Sequence, residues 1–288
     1  GVVKDVGRGL MAAGDARPAA LAAIPPATEF WMPAVAGALF LPLALLAIWL
    51  LDHLPDPTAA DRRERCERAP MDAADRRAFL RRFWPGLALL VLGYFLLTAL
   101  RDFRDNYMVD VLQELGYSYD EHGSAISRME LLVSFVVLGA MGSLILVRNN
   151  VRGLAVVLSA MVAGFALIGG ATYLKQIGAI DGLWWMTLLG TGAYLAYVPY
   201  NAMLFDRLFA ATQTVGTAVF AIYVADAIAY VGSVAALLLK DHSWGDATST
   251  SFLMQLAYVV SAVSVPAVAA SGVYFLRRKA SPAPGAPG

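Results

Sequence analysis

Seven blocks of about twenty predominantly apolar residues punctuate this chain, near 30–51, 84–104, 128–147, 152–174, 183–204, 214–239 and 252–276. A helix rises about 1.5 Å per residue and the hydrocarbon core of a bilayer is about 30 Å thick, so each block is long enough to cross it. No segment shows the roughly ten-residue alternation of a barrel strand, and a spanning segment must satisfy its own backbone, so helices are the expected form. The predicted fold is all-α: a polytopic membrane helix bundle of about seven transmembrane helices. The residue balance agrees. Of 288 residues, 59% are hydrophobic and 15% charged, against about 25% charged in soluble domains. So few charges cannot coat a soluble surface of this size, which excludes a water-soluble enzyme and a disordered chain.

Lys and Arg total 22, as do Asp and Glu, so no basic face for nucleic acid is implied and none is expected as a partner. Cys66 is the single cysteine, which excludes an intrachain disulfide framework and a cysteine-rich metal site. The sequence opens at Gly1 without a signal-peptide pattern, and a fragment or processed chain is expected.

Basic residues collect in cytoplasmic loops. The 52–83 connection alone holds Arg62, Arg63, Arg65, Arg68, Arg76, Arg77, Arg81 and Arg82. Summed over alternate connections, one side carries 14 Lys and Arg and the other 8. The richer side is the expected cytoplasmic one, placing the N-terminus outside and the C-terminus inside. Four regions follow: 1–51, an outer segment and first span; 52–83, a basic cytoplasmic linker; 84–279, a six-helix transmembrane bundle; and 280–288, a disordered tail rich in Pro, Gly and Ala. Within the linker, 59–67 and 72–83 read as two short charged helices split by Pro70. Asp72 is the expected N-cap of the second, and a solvated linker or a docking site for anionic lipid or a regulatory partner is its expected role.

Three runs carry a family resemblance: Glu29-Phe30-Trp31-Met32-Pro33; Arg101-Asp102-Phe103-Arg104-Asp105-Asn106; and Tyr197-Val198-Pro199-Tyr200-Asn201-Ala202-Met203-Leu204-Phe205-Asp206-Arg207. With the seven spans and the large basic loop after the first, they resemble a bacterial branch of the major facilitator superfamily. The likeness is to the carboxyl-terminal half of such a transporter preceded by its sixth helix, with residues 1–28 including the outer end of helix five. It implies twelve helices in two six-helix halves, a second helix bundle as partner, and residence in the bacterial inner membrane. It also implies a loop signature Gly-x-x-x-Asp-Arg-x-Gly-Arg-Arg between helices eight and nine. Here that loop offers Arg148, Asn149, Arg152 and Gly153, and the acid is missing.

Asp226 is the sharpest single feature, an acid near the middle of the 214–239 block. A bare carboxylate in hydrocarbon costs several kcal/mol, so such a residue faces protein or water and marks a functional site by default. Tyr223 and Tyr230, at i−3 and i+4, share its predicted helical face. Arg101, Asp102, Arg104 and Asp105 are expected to close the 84–104 span, with Arg101 and Asp105 paired at i, i+4 and Tyr94, Thr98, Arg101 and Asp105 on one face. An interfacial ion-pair cap is one role; an arginine meeting an anionic solute is the other. Arg128 and Glu130 stand ready to join. Tyr194, Tyr197 and Asn201 follow at i, i+3 and i+7, with Pro199 predicting a kink, and suit either a polar cavity wall or interhelical packing. Trp184 and Trp185 read as interfacial anchors. Gly139, Gly142, Ala160, Ala163, Gly164 and Gly169 read as close-approach positions.

No catalytic set, cofactor motif or metal-ligating cluster is recognisable, and none of His53, His122 and His242 falls in a predicted span. The sequence therefore predicts a secondary transporter, or its carboxyl-terminal half, moving a small solute by alternating access with possible proton coupling through Asp226, and not an enzyme. A seven-helix receptor or sensor with an extracellular N-terminus is the alternative; it leaves the eight-arginine loop unexplained.

Overall fold

Among the described residues every regular element is helical. The computed structural model describes residues 26–56, 71–147, 149–212, 218–243 and 248–278. The elements are α1 (Pro26–Asp52), α2 (Ala73–Glu114), α3 (Tyr119–Ile145), α4 (Asn150–Gln176), α5 (Gly182–Pro199), a π-helical turn (Tyr200–Leu204), α6 (Phe205–Thr212), α7 (Ala218–Ser243) and α8 (Ser249–Arg277). The 59–67 helix, Pro70, Cys66, the five arginines and lysine at 62–68, 148 and 279, and the tail beyond fall outside the described residues.

Among the described residues, five helices are long and apolar enough to cross a membrane: α2, His122–Leu144 of α3, α4, Ala218–Lys240 of α7, and α8. The chain is a multi-pass helical membrane protein. Two of the seven sequence blocks meet the requirement less fully among the described residues. In α1 the apolar stretch is Gly37–Asp52. In the 183–204 block, aromatic, Thr and Gly residues dilute the apolarity, and the helix passes through the π turn into α6.

The chain divides into two compact units, Gly1–Arg65 and Cys66–Gly288. The first contains α1. In the second, α2 is the spine: it packs against α8, α7 and α5, while α4 packs against α5 and α8, and α3 leans on α5. Trp185, Phe83, Phe103, Phe165 and a run of leucines are fully buried between these helices. Gly164 and Gly192 let α4 and α5 touch backbone to backbone, since a Cβ on either would lie 2.6 Å from the other's carbonyl oxygen. This is small-residue packing, which brings membrane helices together without a hydrophobic driving force. Gly139 and Gly142 do not share that role: a Cβ on either would meet nothing within 4 Å.

Helix ends follow local chemistry. Asp72 caps α2 as the sequence predicts, its Oδ1 accepting the Asp75 N–H at 2.8 Å while Asp75 Oδ2 accepts the Asp72 N–H at 3.2 Å, a reciprocal capping box. Asn149, Asp181 and Thr248 cap α4, α5 and α8. The start of α8 is also capped from a distance, with the Ser249 and Thr250 N–H groups donating to the two Glu114 carboxylate oxygens at 2.9 and 2.8 Å.

Two predicted boundaries move. The charged 72–83 segment and the 84–104 span are one helix of 42 residues, about 63 Å long at 1.5 Å per residue. That is twice the hydrocarbon thickness, so charged turns project at both ends. The Arg101–Asp105 cluster therefore does not close the helix, which runs on to Glu114. Likewise α3 starts at Tyr119, which brings His122 into the helix.

Candidate functional site

The polar residues of the bundle interior form a strip along α2, beginning at Tyr94. Its phenol donates to Asp226 Oδ1 on α7 at 2.6 Å and accepts from Asn201 Nδ2 in the π turn at 3.0 Å. Tyr94 is otherwise buried, and its ring packs 4.4 Å from Tyr200 and 5.6 Å from Tyr197 between centroids. The Tyr200 hydroxyl donates to the Leu90 carbonyl at 2.8 Å. Three elements thus meet at one hydroxyl. The phenol–carboxyl contact is at the short end of the O–H···O range, and among the described residues no cation pairs with Asp226.

Pro199 explains how Asn201 gets there. Proline lacks the N–H that an α-helix uses, and the backbone widens immediately after it into the π turn. Such turns re-aim side chains and cluster at functional sites. The break in regular α-helix thus falls directly after Pro199.

Two turns further along α2 the Arg101 guanidinium carbon lies 3.9 Å above the Tyr197 ring, while Nε donates to Asp102 Oδ1 at 2.9 Å. The Ser233 hydroxyl of α7 donates to the other Asp102 oxygen. The i, i+4 pairing of Arg101 with Asp105 does not form. Asp105 instead accepts from Arg104 Nη1 at 2.9 Å and from the Tyr194 hydroxyl at 2.8 Å.

Arg104 is the best-buried charge of the strip, with a side-chain exposure of 0%. Its Nη2 donates to Glu130 Oε1 of α3 at 2.6 Å and to the Met186 carbonyl of α5 at 3.2 Å; its Nε has no partner. It fits only because residue 190 has no side chain: a Cβ there would lie 2.5 Å from Arg104 Nη2 and 2.7 Å from its guanidinium carbon. The guanidinium is fully enclosed and held by two carboxylates and a carbonyl, while the carboxylates themselves are partly exposed. Glu130 joins the network as expected, whereas Arg128 is exposed.

Of the nine residues singled out from the sequence, Tyr94, Arg101, Asp105, Tyr194, Tyr197, Asn201 and Asp226 come together in this strip. Tyr223 and Tyr230 do not: they are 70% and 59% exposed. Helical periodicity put them on the side of Asp226, but the carboxylate reaches toward Tyr94 while the tyrosines point away from the packed face. Sequence reasoning missed Ser233 as a member and gave no sign of Gly190. The one available signal for Ser233 was its position seven residues after Asp226, two turns along the same face. Trp184 is 53% exposed, as an anchor requires, but Trp185 is fully buried and donates to Thr172 Oγ1 at 3.2 Å.

Around the strip two guanidinium groups, Arg101 and Arg104, face four carboxylates, Asp102, Asp105, Glu130 and Asp226. Counted with every group ionised, two negative charges are left over, an arrangement that suits a cation, a solute amine or a proton better than an anion. Among the described residues no group of three or more His, Cys, Asp or Glu side chains is placed to hold a metal ion.

No curated protein and no solved structure matches the chain. A family model does, over residues 9–278, and the chain accordingly belongs to the family described as "Family of unknown function (DUF5690)".

Proposed function

We propose that the protein is a secondary transporter of the major facilitator type, or the carboxyl-terminal half of one, and that it moves a small cationic or zwitterionic solute with proton coupling through Asp226. The observation that supports this reading is the carboxyl surplus of the strip: Asp226 bonded to Tyr94 without a cation, and the buried Arg104 shared by the partly exposed Asp105 and Glu130. Unpaired acid in a membrane interior is costly and is retained at ion and substrate pathways. In alternating access two bundles rock about a site near the midplane. Opening and closing of a cavity changes the hydration of any carboxyl group that lines it, which is the physical ground for assigning the coupling to Asp226. The Pro199–Leu204 region, which carries Asn201 to Tyr94, supplies a point where α5 can bend. A second helix bundle, the amino-terminal half of such a transporter or another copy of this chain, completes the cavity. The protein resides in the bacterial inner membrane with its C-terminus in the cytoplasm.

The test is uptake into proteoliposomes driven by a proton gradient, using a panel of organic cations, amino acids and organic anions. The chain is assayed alone and together with products of neighbouring reading frames. Accumulation of cationic or zwitterionic solutes, abolished in Asp226→Asn, is the expected result. Uptake by the chain alone selects pairing of two copies. Gradient-driven flux for no member of the panel under either condition refutes the reading.

A further inference from the structure

A groove of about 520 Å³ runs between α2 and α7, walled by Leu80, Trp84, Leu87, Val91, Val224 and Ile228 among others; its far end, at Phe95 and Ile228, lies close in sequence to Tyr94 and Asp226 of the polar strip. None of its lining side chains is charged, and only the Trp84 indole could donate a hydrogen bond. A polar solute would give up its water there for nothing. The groove follows α2 from Phe79 to Phe95, about 24 Å at 1.5 Å per residue. One leaflet of hydrocarbon is about 15 Å deep, so a whole acyl chain can lie along it.

The chemistry at one end is different. The first turns of α2 carry Arg76, Arg77, Arg81 and Arg82. Arg76 stands one turn before Leu80, and Arg77 one turn before Arg81 and two before Trp84, so these arginines continue the groove wall out of the apolar zone. Arg76 leans toward α7, its guanidinium carbon 5.6 Å from the Phe220 ring centroid and its Nε donating to the Met71 carbonyl at 3.0 Å. The nearest acids in sequence, Asp72 and Asp75, are committed to the helix cap. Among the described residues no carboxylate forms an ion pair with Arg76 or Arg77. Trp84, 64% exposed, sits between the two zones, where tryptophan prefers the headgroup boundary.

We propose that this groove binds an anionic phospholipid, with an acyl chain along Leu80–Phe95 and the phosphate on Arg76 and Arg77. Guanidinium binds phosphate through paired N–H groups, and basic clusters bordering a span attract anionic lipid. Each arginine contributes about a fivefold preference for an anionic over a zwitterionic headgroup. Two give roughly 25-fold.

The full chain is purified in detergent, incorporated into nanodiscs of phosphatidylcholine with one-fifth phosphatidylglycerol, and its retained lipids are identified by native mass spectrometry. One retained phosphatidylglycerol is expected, at roughly 25-fold preference over phosphatidylcholine. In Arg76→Gln/Arg77→Gln the preference falls to near unity, while Arg76→Lys/Arg77→Lys keeps most of it. Ala88→Trp, which fills the groove from its own wall, loses the retained lipid; Val91→Phe is the gentler replacement should the tryptophan variant fail to fold. A wild type that shows no preference overturns the proposal. So does a double-glutamine variant that keeps the preference, or a groove-filled variant that keeps its lipid. Isolation as a stable complex that takes lipid only after dissociation would assign the groove to a partner helix and equally overturn it.

Discussion

Replacing Gly190 by alanine sets two physical effects of opposite sign against each other. Helix propensity alone favours Ala over Gly by about 1 kcal/mol. The new methyl, however, would lie 2.5 Å from Arg104 Nη2 and 2.7 Å from the guanidinium carbon. A guanidinium is ordinarily the movable end of a flexible side chain, but this one is fully enclosed and fixed by Asp105, Glu130 and the Met186 carbonyl. Moving it by the ångström that contact requires sacrifices the Nη2 bonds. A hydrogen bond to a charged group contributes about 1.5–3 kcal/mol, and overpacking costs about 1–3 kcal/mol. Against the propensity gain, and counting one such bond, Gly190→Ala is expected to destabilise by about 1.5–5 kcal/mol. The carboxylates are 39% and 36% exposed, so water screens part of the loss and the lower half of that range is favoured. The assay is the unfolding free energy from detergent titration in mixed micelles, with Gly139→Ala as control. A Cβ at Gly139 meets nothing within 4 Å, so that variant should be neutral or gain up to about 1 kcal/mol. Stabilisation of both variants alike would refute the placement of Arg104 against α5.

Asp226→Asn should fold and keep a bond to Tyr94 while losing gradient-driven accumulation; accumulation with an unchanged pH dependence would leave Asp226 structural. Arg101→Lys keeps a charge for Asp102 but loses the planar contact with Tyr197, for an expected loss of about 0.5–1 kcal/mol in the same unfolding titration; Arg101→Ala should lose more. Glu114→Ala removes both acceptors at the start of α8 and should cost about 1–2 kcal/mol, with faster amide exchange at Ser249 and Thr250 as the local readout. Cys66, the single thiol, should resist an impermeant reagent in intact cells and react in inverted vesicles; labelling in intact cells would reverse the proposed orientation.

The sequence by itself determined the class of fold, because apolar length is a one-dimensional property and the bilayer imposes the thickness it must match. It also determined the Asp72 cap, whose chemistry spans three residues, and the break after Pro199, which follows from a missing N–H. It located most of the polar strip, since charge and hydroxyl in apolar surroundings are visible residue by residue. The continuity of α2 through Phe83 and past Arg101 was not legible: charge marks where the membrane ends, not where the helix does. Partner choice was decided only in three dimensions. Arg101 and Asp105 are neighbours on a helix surface, yet each finds a better arrangement with Tyr197, Asp102, Arg104 or Tyr194 once α5 is packed alongside. Tyr223 and Tyr230 share a helical side with Asp226, but which edge of that side meets α2 is set by the packing of α7 through Gly232, where a Cβ would lie 2.7 Å from the Phe95 carbonyl. The burial of Arg104 depends on the absence of an atom at Gly190, a residue 86 positions away. A local pattern records what a side chain can do; the neighbours brought by the fold decide which of those things it does.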